Sequence, residues 1–371
     1  MHITIDRADL LMALRRGGQL AGRTKTIPIL NCVVLRASGN ALTVASTDMD
    51  HWSSLSVPAV LAAPGDVAVN GPMLTRAVSE LTAGKVEVQL DGEMLRISAG
   101  RTKLRFATLK VADFPASSPV KGATVTVTVG ELRRISEATS WAASDEATRD
   151  YLRVTCFRPR EGRLQAWATS GQVLAKTEVA CEGGLPDHDI MLPTTAWAPL
   201  RALMDGAADT DQVEVALARN AAAFKVGPAK FRTKLVDGTF PANAAQLVSF
   251  GLSGKNVIEF DRDAMLAGLR RVRVAATDKI STIRTTITAD GIALRAAAGG
   301  GAEAEDAVEA TGNADIALSF SGPLLLEALN SLPVGRVAMR LSDPASPVSL
   351  WPAAATSPDT AAQIALVMPC R

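Results

Sequence analysis

The sequence predicts an α+β chain made of three copies of one unit, each with an antiparallel sheet outside and helices inside. Three observations predict it. A strand phrase running into a helix, Ile3-Thr4-Ile5-Asp6-Arg7-Ala8-Asp9-Leu10-Leu11, returns as Ile258-Glu259-Phe260-Asp261-Arg262-Asp263-Ala264-Met265-Leu266. It also returns, more loosely, as Val125-Thr126-Val127-Thr128-Val129-Gly130-Glu131-Leu132-Arg133. The unit ends agree as well: Val111-Ala112-Asp113-Phe114-Pro115 answers Asp237-Gly238-Thr239-Phe240-Pro241, and Val367-Met368-Pro369 closes the last unit. These prolines stand 126 and then 128 residues apart, so three units fill all 371 residues. Domains are expected at 1–121, 122–250 and 251–371.

Within each unit the elements follow from pattern. The opening strands alternate apolar and polar residues, and Asp9, Glu131 and Asp263 place a carboxylate in the first turn of the helix that follows. A second strand and helix come next: Asp66-Val67-Ala68-Val69 before residues 73–78, Asp189-Ile190-Met191-Leu192 before 197–203, and Asp315-Ile316-Ala317-Leu318 before 323–329. Alternating strands then recur at 86–90, 213–217 and 337–341. In the first unit Asp91-Gly92 supplies a hairpin turn before a strand at 94–98. Six strand–helix–strand–strand halves result. Their helices need sheet to pack on, and an arc of stacked units leaves edges that a second copy of the chain can close.

Composition narrows the function. With 39 basic and 38 acidic residues the net charge is +1, so nucleic acid would be met by local charge and not by a global basic field. A hydrophobic fraction of 47% suffices for large cores. No apolar run reaches the roughly 18 residues of a membrane span, and the opening Met1-His2-Ile3-Thr4-Ile5-Asp6 reads as a strand and not as a signal peptide. Cys32, Cys156, Cys181 and Cys370 have no CxxC spacing and read as small buried hydrophobes of a cytoplasmic protein. Three histidines, His2, His51 and His188, leave little for a metal or hydrolytic centre. The glycine pairs form no GxGxxG or GxxxxGKS loop, and no serine sits in a nucleophile elbow.

One ordered set of phrases goes further: Thr26-Ile27-Pro28-Ile29-Leu30, Thr47-Asp48-Met49-Asp50, Asp113-Phe114-Pro115, Arg149-Asp150-Tyr151-Leu152, Ala168-Thr169-Ser170-Gly171, Lys234-Leu235-Val236-Asp237-Gly238-Thr239-Phe240-Pro241 and Val367-Met368-Pro369-Cys370-Arg371. Taken together at repeat spacing, they make the chain resemble a divergent member of the bacterial DNA polymerase III beta subunit family, the sliding clamps, over essentially its full length. The resemblance implies a ring-shaped head-to-tail dimer around double-stranded DNA, with helices lining the hole. It implies a processivity factor without chemistry or cofactor, acting in DNA replication in the cytoplasm. The expected partners are the DNA polymerase III alpha subunit, the clamp loader and other proteins carrying a clamp-binding motif, with no membrane.

Three groups of residues are candidates on this basis. The DNA-facing set is Arg15, Arg16, Arg76, Arg133, Arg134, Arg201, Arg270 and Arg271 on helices, with Arg273 beside them, and Arg23 and Lys25 in a loop; cations without base-reading partners suit sequence-blind phosphate contact. A cleft for partner peptides would use Leu152, Thr169, Gly171, Val173, Leu174, Pro241, Val348, Leu366, Val367, Met368, Pro369, Cys370 and Arg371. The dimer contact would set Arg101, Lys103, Leu104 and Arg105 of one copy against Val274, Ala275, Glu303, Glu305 and Asp306 of the other. The cleft departs from the family's pattern. Its usual His-Arg is Gln172-Val173, its usual acidic turn residue is Ser170, its usual basic pair is Ala244-Ala245, and the common final Leu is absent. A clamp paralogue with altered partners is therefore an alternative. A hydrolase using Glu303, Glu305 and Asp306 is a remote one, since no copy of the repeat gathers a convergent polar constellation.

Overall fold

The structure is a computed structural model and describes residues 1–23, 26–82, 84–160, 162–276, 281–297, 301–355 and 361–370. They form two compact units: residues 1–132, 181–186 and 195–235 in the first, and 133–180, 187–194 and 236–371 in the second. The threefold sequence repeat is thus packed as two bodies, because the strands of the middle repeat complete the sheets of its neighbours. In the first unit His51–Pro58 pairs antiparallel with Ala229–Lys234, setting Leu55 opposite Ala229 and His51 opposite Thr233. In the second, Val173–Ala180 pairs with Gln363–Val367, setting Leu174 opposite Leu366. One continuous sheet of 14 strands results in the first unit and one of 12 in the second.

Seven helices are described: α1 (Arg7–Arg16), α2 (Gly71–Ser79), α3 (Val129–Thr139), α4 (Trp197–Leu203), α5 (Ala244–Leu252), α6 (Arg262–Arg273) and α7 (Gly322–Ser331). Their starts are chemically marked. Asp6 accepts from the Ala8 amide at 3.0 Å, Asn70 from Met73 at 2.9 Å and Asp261 from Ala264 at 2.8 Å. At α3, Thr128 and Glu131 cap each other: the Glu131 amide donates to Thr128 Oγ1 and the Thr128 amide to Glu131 Oε2. Each such cap satisfies orphan amides and typically stabilises a helix by about 1 kcal/mol. Leu10, Ala13 and Leu14 of α1 and Leu74 and Val78 of α2 are buried in the first unit; Met265, Leu266, Leu269 and Val272 of α6 and Leu325, Ala328 and Leu329 of α7 in the second.

The strands expected at 86–90, 213–217 and 337–341 are Lys85–Asp91, Gln212–Leu217 and Arg336–Leu341. The Asp91-Gly92 turn takes Gly92 at φ +61°, and Asp91 pairs with Met94. Two features depart from expectation. Cys32 and Cys156 are buried, whereas Cys181 and Cys370 are only half-buried. Helix α5 has no counterpart in the repeat pattern.

Candidate functional site

The helix arginines divide by what their guanidinium groups already hold. Arg16 Nη2 donates to the Leu203 carbonyl, and Gln19 Nε2, just beyond α1, to the Pro199 carbonyl at 2.8 Å, so the end of α1 and the turn after it are fastened to α4. Burial pushes the Arg16 guanidinium below its ordinary value, with Asp205 acting against it. Arg134 donates to the Glu178 carbonyl at 2.8 Å, and Arg271 Nε lies 2.5 Å from Asp306 Oδ2. Arg133 is half-buried, and Arg23 stands 3.5 Å from Asp48. Arg15, Arg76, Arg201 and Arg270, with Arg273, are exposed and have neither an ion pair nor a hydrogen-bond partner among the described residues. These are the cations left for an external anion. Lys25 lies outside the described residues.

The apolar cleft residues gather in the second unit. Val367 pairs with both Val173 and Val348, which places the end of the chain in mid-sheet. Thr169 Oγ1 donates to the Val173 carbonyl at 2.6 Å and accepts from the Gly171 amide at 3.1 Å, closing a turn that needs Gly171 at φ +95°. The Met368 amide donates to the Gln172 carbonyl at 2.9 Å and the Cys370 amide to Ser319 at 2.7 Å, fixing the final residues on the sheet. Leu152, Thr169, Val173, Leu174, Val348, Leu366 and Val367 are buried, but not on one face of the sheet: Val173, Val348 and Val367 pack into one core cluster, and Leu174 and Leu366 into another with Phe240. Pro241, Met368, Pro369 and Cys370 are half-buried and accessible. Arg371 lies outside the described residues.

One neighbour of Leu174 and Phe240, Arg158, carries no repeat signal and is not singled out by the sequence. Arg158 sits over the Trp167 and Phe240 rings, 5.3 and 5.2 Å from their centroids, and its Nε donates to Asp189 Oδ2 at 3.1 Å. It is a neutralised, stacked cation beneath Phe240, not an open one. Cys156 lies against the same carboxylate, and burial, reinforced by Asp189, pushes its thiol up to about 12, so it is inert at neutral pH. Helix α5 packs Ala244 and Val248 into the cluster that holds Leu174, Phe240 and Leu366, while Leu247 and Phe250 remain 38% and 53% exposed. Residues 238–254 contain no charge, so α5 and its flanks are electrically neutral.

The dimer candidates occupy two strand edges. Thr102–Leu109 pairs along Met94–Ala99, but its other side meets Gly65–Asn70 only at Thr108 and Leu109. Glu303–Gly312 pairs along Gly291–Ala297, but its other side meets Asn256–Asp261 only at Ala310, Thr311 and Gly312. Residues 102–107 and 303–309 therefore each keep one edge without a strand partner among the described residues. Arg101, Lys103 and Arg105 are exposed and Leu104 half-buried. Val274 is 83% exposed, whereas Ala275 is buried in its own protomer. The carboxylates are already engaged: Glu303 and Glu305 with Arg295 at 3.1 and 3.0 Å, and Asp306 with Arg271. No group of three metal-ligating side chains occurs among the described residues.

Known families match along the whole chain. The model of the DNA polymerase III beta subunit N-terminal domain matches residues 1–118, that of its central domain 126–242, and that of its C-terminal domain 252–369. The beta sliding clamp of Caulobacter vibrioides is 29% identical over 357 residues, covering 94% of this chain and 95% of the relative. That of Escherichia coli K12 is 28% identical over 362 residues, covering 96% and 97%. The crystal structure of the DNA polymerase III subunit beta from Pseudomonas aeruginosa superimposes with a TM-score of 0.91 at 26% identity, covering 100% of both chains. A sliding clamp from Bartonella birtlesii bound to griselimycin gives 0.92 at 26%, covering 100% and 99%.

Proposed function

The chain belongs to the DNA polymerase III beta subunit family and is a DNA polymerase processivity factor, and we propose that it works as a non-catalytic, cytoplasmic ring of two head-to-tail copies around duplex DNA. The observation that carries this is the pair of open strand edges. One, residues 102–107, is flanked by Arg101, Lys103 and Arg105; the other, residues 303–309, by Glu303, Glu305 and Asp306. Unlike ends that add strand to strand satisfy the free backbone groups of both edges, and they close after two copies when each spans half a circle. Since the carboxylates are already paired within the chain, cross-subunit charge contributes more to orientation than to affinity. Leu104 and the exposed Val274 supply the apolar contact, and the buried Ala275 only backs it. Domain limits of 1–121, 122–250 and 251–371 serve this arrangement.

Sedimentation equilibrium at micromolar concentration tests the ring. A chain of 38.8 kDa should give about 78 kDa, twice its own mass. Val274→Lys, which sets a cation against Arg101, Lys103 and Arg105, should weaken the dimer tenfold or more, about 1.4 kcal/mol. A monomer in the parent protein at moderate salt contradicts the ring.

A second reading concerns partners. The cleft would receive extended peptides of the DNA polymerase III alpha subunit, of the clamp loader and of other motif-bearing proteins. Gln172-Val173 and Ala244-Ala245 leave it with few charges, Arg371 being the one cation of the set, which favours a paralogue whose peptides dock through apolar side chains. No helix among the described residues is long and apolar enough to cross a membrane.

A further inference from the structure

The cleft between α1 and α2 has a volume of about 420 Å³, with Leu14, Ala21 and Pro72 in its floor and Arg15 and Arg76 among its lining residues. Its other polar side chains are spent on the frame. Thr75 Oγ1 donates to the Gly71 carbonyl at 2.9 Å and Ser79 Oγ to the Arg76 carbonyl at 2.6 Å, while Gln19 Nε2 donates to the Arg16 and Pro199 carbonyls. Among the described side chains that line the cleft, the two guanidinium groups are the ones that retain donors for a ligand. The walls are fixed: Arg7 Nη1 donates to the carbonyls of Val78 and Ser79 at 3.4 and 3.3 Å, tying the start of α1 to the end of α2. A Cβ at Gly71 would stand 2.8 Å from Ala21 Cβ, so the chain leaving α1 is pressed against the start of α2.

The helix caps put the three repeats in register and show that this cleft is singular. Nine residues beyond the cap Asp6 lies Arg15, nine beyond Asp261 lies Arg270, and nine beyond Thr128 lies Glu137. Six beyond the cap Asn70 lies Arg76, and six beyond the cap Ser321 lies Glu327. The second repeat places a carboxylate at the first position and the third repeat places one at the second. The first repeat alone has arginine at both. Two like charges lining one cleft with no ion pair among the described residues repel each other, and an anion held between them removes that cost. A tetrahedral phosphate offers oxygens to two planar guanidinium forks at once.

We propose that the α1–α2 cleft seats one phosphate group shared by Arg15 and Arg76, and that its source is a phosphodiester of duplex DNA. This rests on the reading of the chain as a DNA-encircling clamp. DNA then leans on the first repeat of each copy and not evenly on all three. The seat reads no base, so it holds the duplex without fixing its sequence register.

A double-mutant cycle on the full-length protein tests it, with Arg15→Gln, Arg76→Gln, both together, and the distant Arg201→Gln. Binding of a labelled duplex of about 30 base pairs is read by fluorescence anisotropy across salt concentrations. A shared phosphate predicts about fivefold weakening for each single variant and about tenfold for the pair, less than the product. It also predicts a salt slope lowered in the double variant by about 0.9 per copy that touches the duplex, one phosphate's worth. A multiplicative loss, with a slope lowered by about 1.8 per such copy, means two independent contacts and overturns the shared seat. Both arginines are exposed, and Arg76→Lys should recover part of the affinity, which separates a lost contact from a misfolded variant. Protection of Arg15 and Arg76 from phenylglyoxal, read by mass spectrometry, identifies the source. Duplex should protect both, and equal protection by millimolar pyrophosphate would assign the cleft to free polyphosphate instead. If Arg201→Gln weakens binding while Arg15 and Arg76 are inert, the seat fails and the clamp reading stands. If no variant changes DNA binding, the seat fails, and the clamp reading is decided separately by retention on a closed circle.

Discussion

Arg271 Nε donates to Asp306 Oδ2 at 2.5 Å, tying the last turn of α6 to the strand Glu303–Gly312. One residue proposed to face DNA and one proposed to face the second copy are thus partners within a protomer. The link holds the acidic edge in place and withdraws Arg271 from the cations available to DNA.

Asp306→Asn should expose that coupling. The Arg271 hydrogen bond, helped by the Ala307 amide, holds the Asp306 carboxyl below the usual carboxylate range. A lowered folded value contributes stability that is present above the unfolded value near 3.9 and is lost as pH falls through the folded one. The variant should melt lower at pH 7, by about 0.5 kcal/mol for a half-exposed pair, and the difference should vanish toward pH 2. A melting difference by scanning calorimetry that stays constant from pH 7 to pH 2 would show that the charge of Asp306 is not involved.

His51 carries a second pH dependence. Thr233 donates its hydroxyl proton to the Lys234 carbonyl at 2.8 Å, so it accepts from His51 Nδ1 at 2.9 Å; Nε2 then accepts from Thr195 Oγ1 at 3.1 Å. The hydrogen-bond network assigns this neutral tautomer. Burial holds the imidazole below its ordinary value, with Asp48 acting against it, Arg23 with it and Asp50 again against it. Stability from His51 is therefore full above the unfolded value near 6.5 and falls as pH drops below it, until the folded imidazole also protonates. Thermal melts of the parent protein should lose more between pH 7.5 and pH 5 than those of His51→Asn. Equal losses would mean that His51 is not the titrating group.

Much of the fold was legible because period-two strands and capped helices announce themselves locally. Asp6 and Asp261 cap as their shared phrase requires, and the strands at 86–90, 213–217 and 337–341 form within a residue of their expected ends. Pairing between repeats was not legible. Nothing in His51–Pro58 names Ala229–Lys234 as its neighbour, because alternation fixes which face is buried and not which strand lies alongside. Helix α5 was missed for the opposite reason: Leu247 and Phe250 remain exposed, so its nine residues show no clean apolar stripe. Among the arginines, Arg15 and Arg16 are adjacent and alike in sequence, yet a turn of 100° per residue leaves one in solvent and puts the other on the Leu203 carbonyl.

The charge-poor cleft makes its own prediction. A peptide ending in Leu-Phe should bind with only weak dependence on salt, since residues 238–254 and 169–175 carry no charge and Arg371 is the one cation of the proposed cleft. Met368→Ala removes a half-buried apolar contact and should weaken binding by about 1 kcal/mol, roughly fivefold. Fluorescence polarisation measures both. Strong weakening by salt, or binding untouched by Met368→Ala, would move the peptide elsewhere.

Release on cutting tests the central claim most directly. The protein is loaded onto a nicked circular plasmid, separated from free protein by gel filtration in high salt, and the circle is then opened at a single restriction site. A ring held by topology stays on the closed circle despite the salt, which suppresses ordinary phosphate contacts, and runs off once the ends are free. Retention on the linear product with unblocked ends, or loss from the intact circle in proportion to salt, would mean that the arginines hold DNA by affinity and that no ring encircles it.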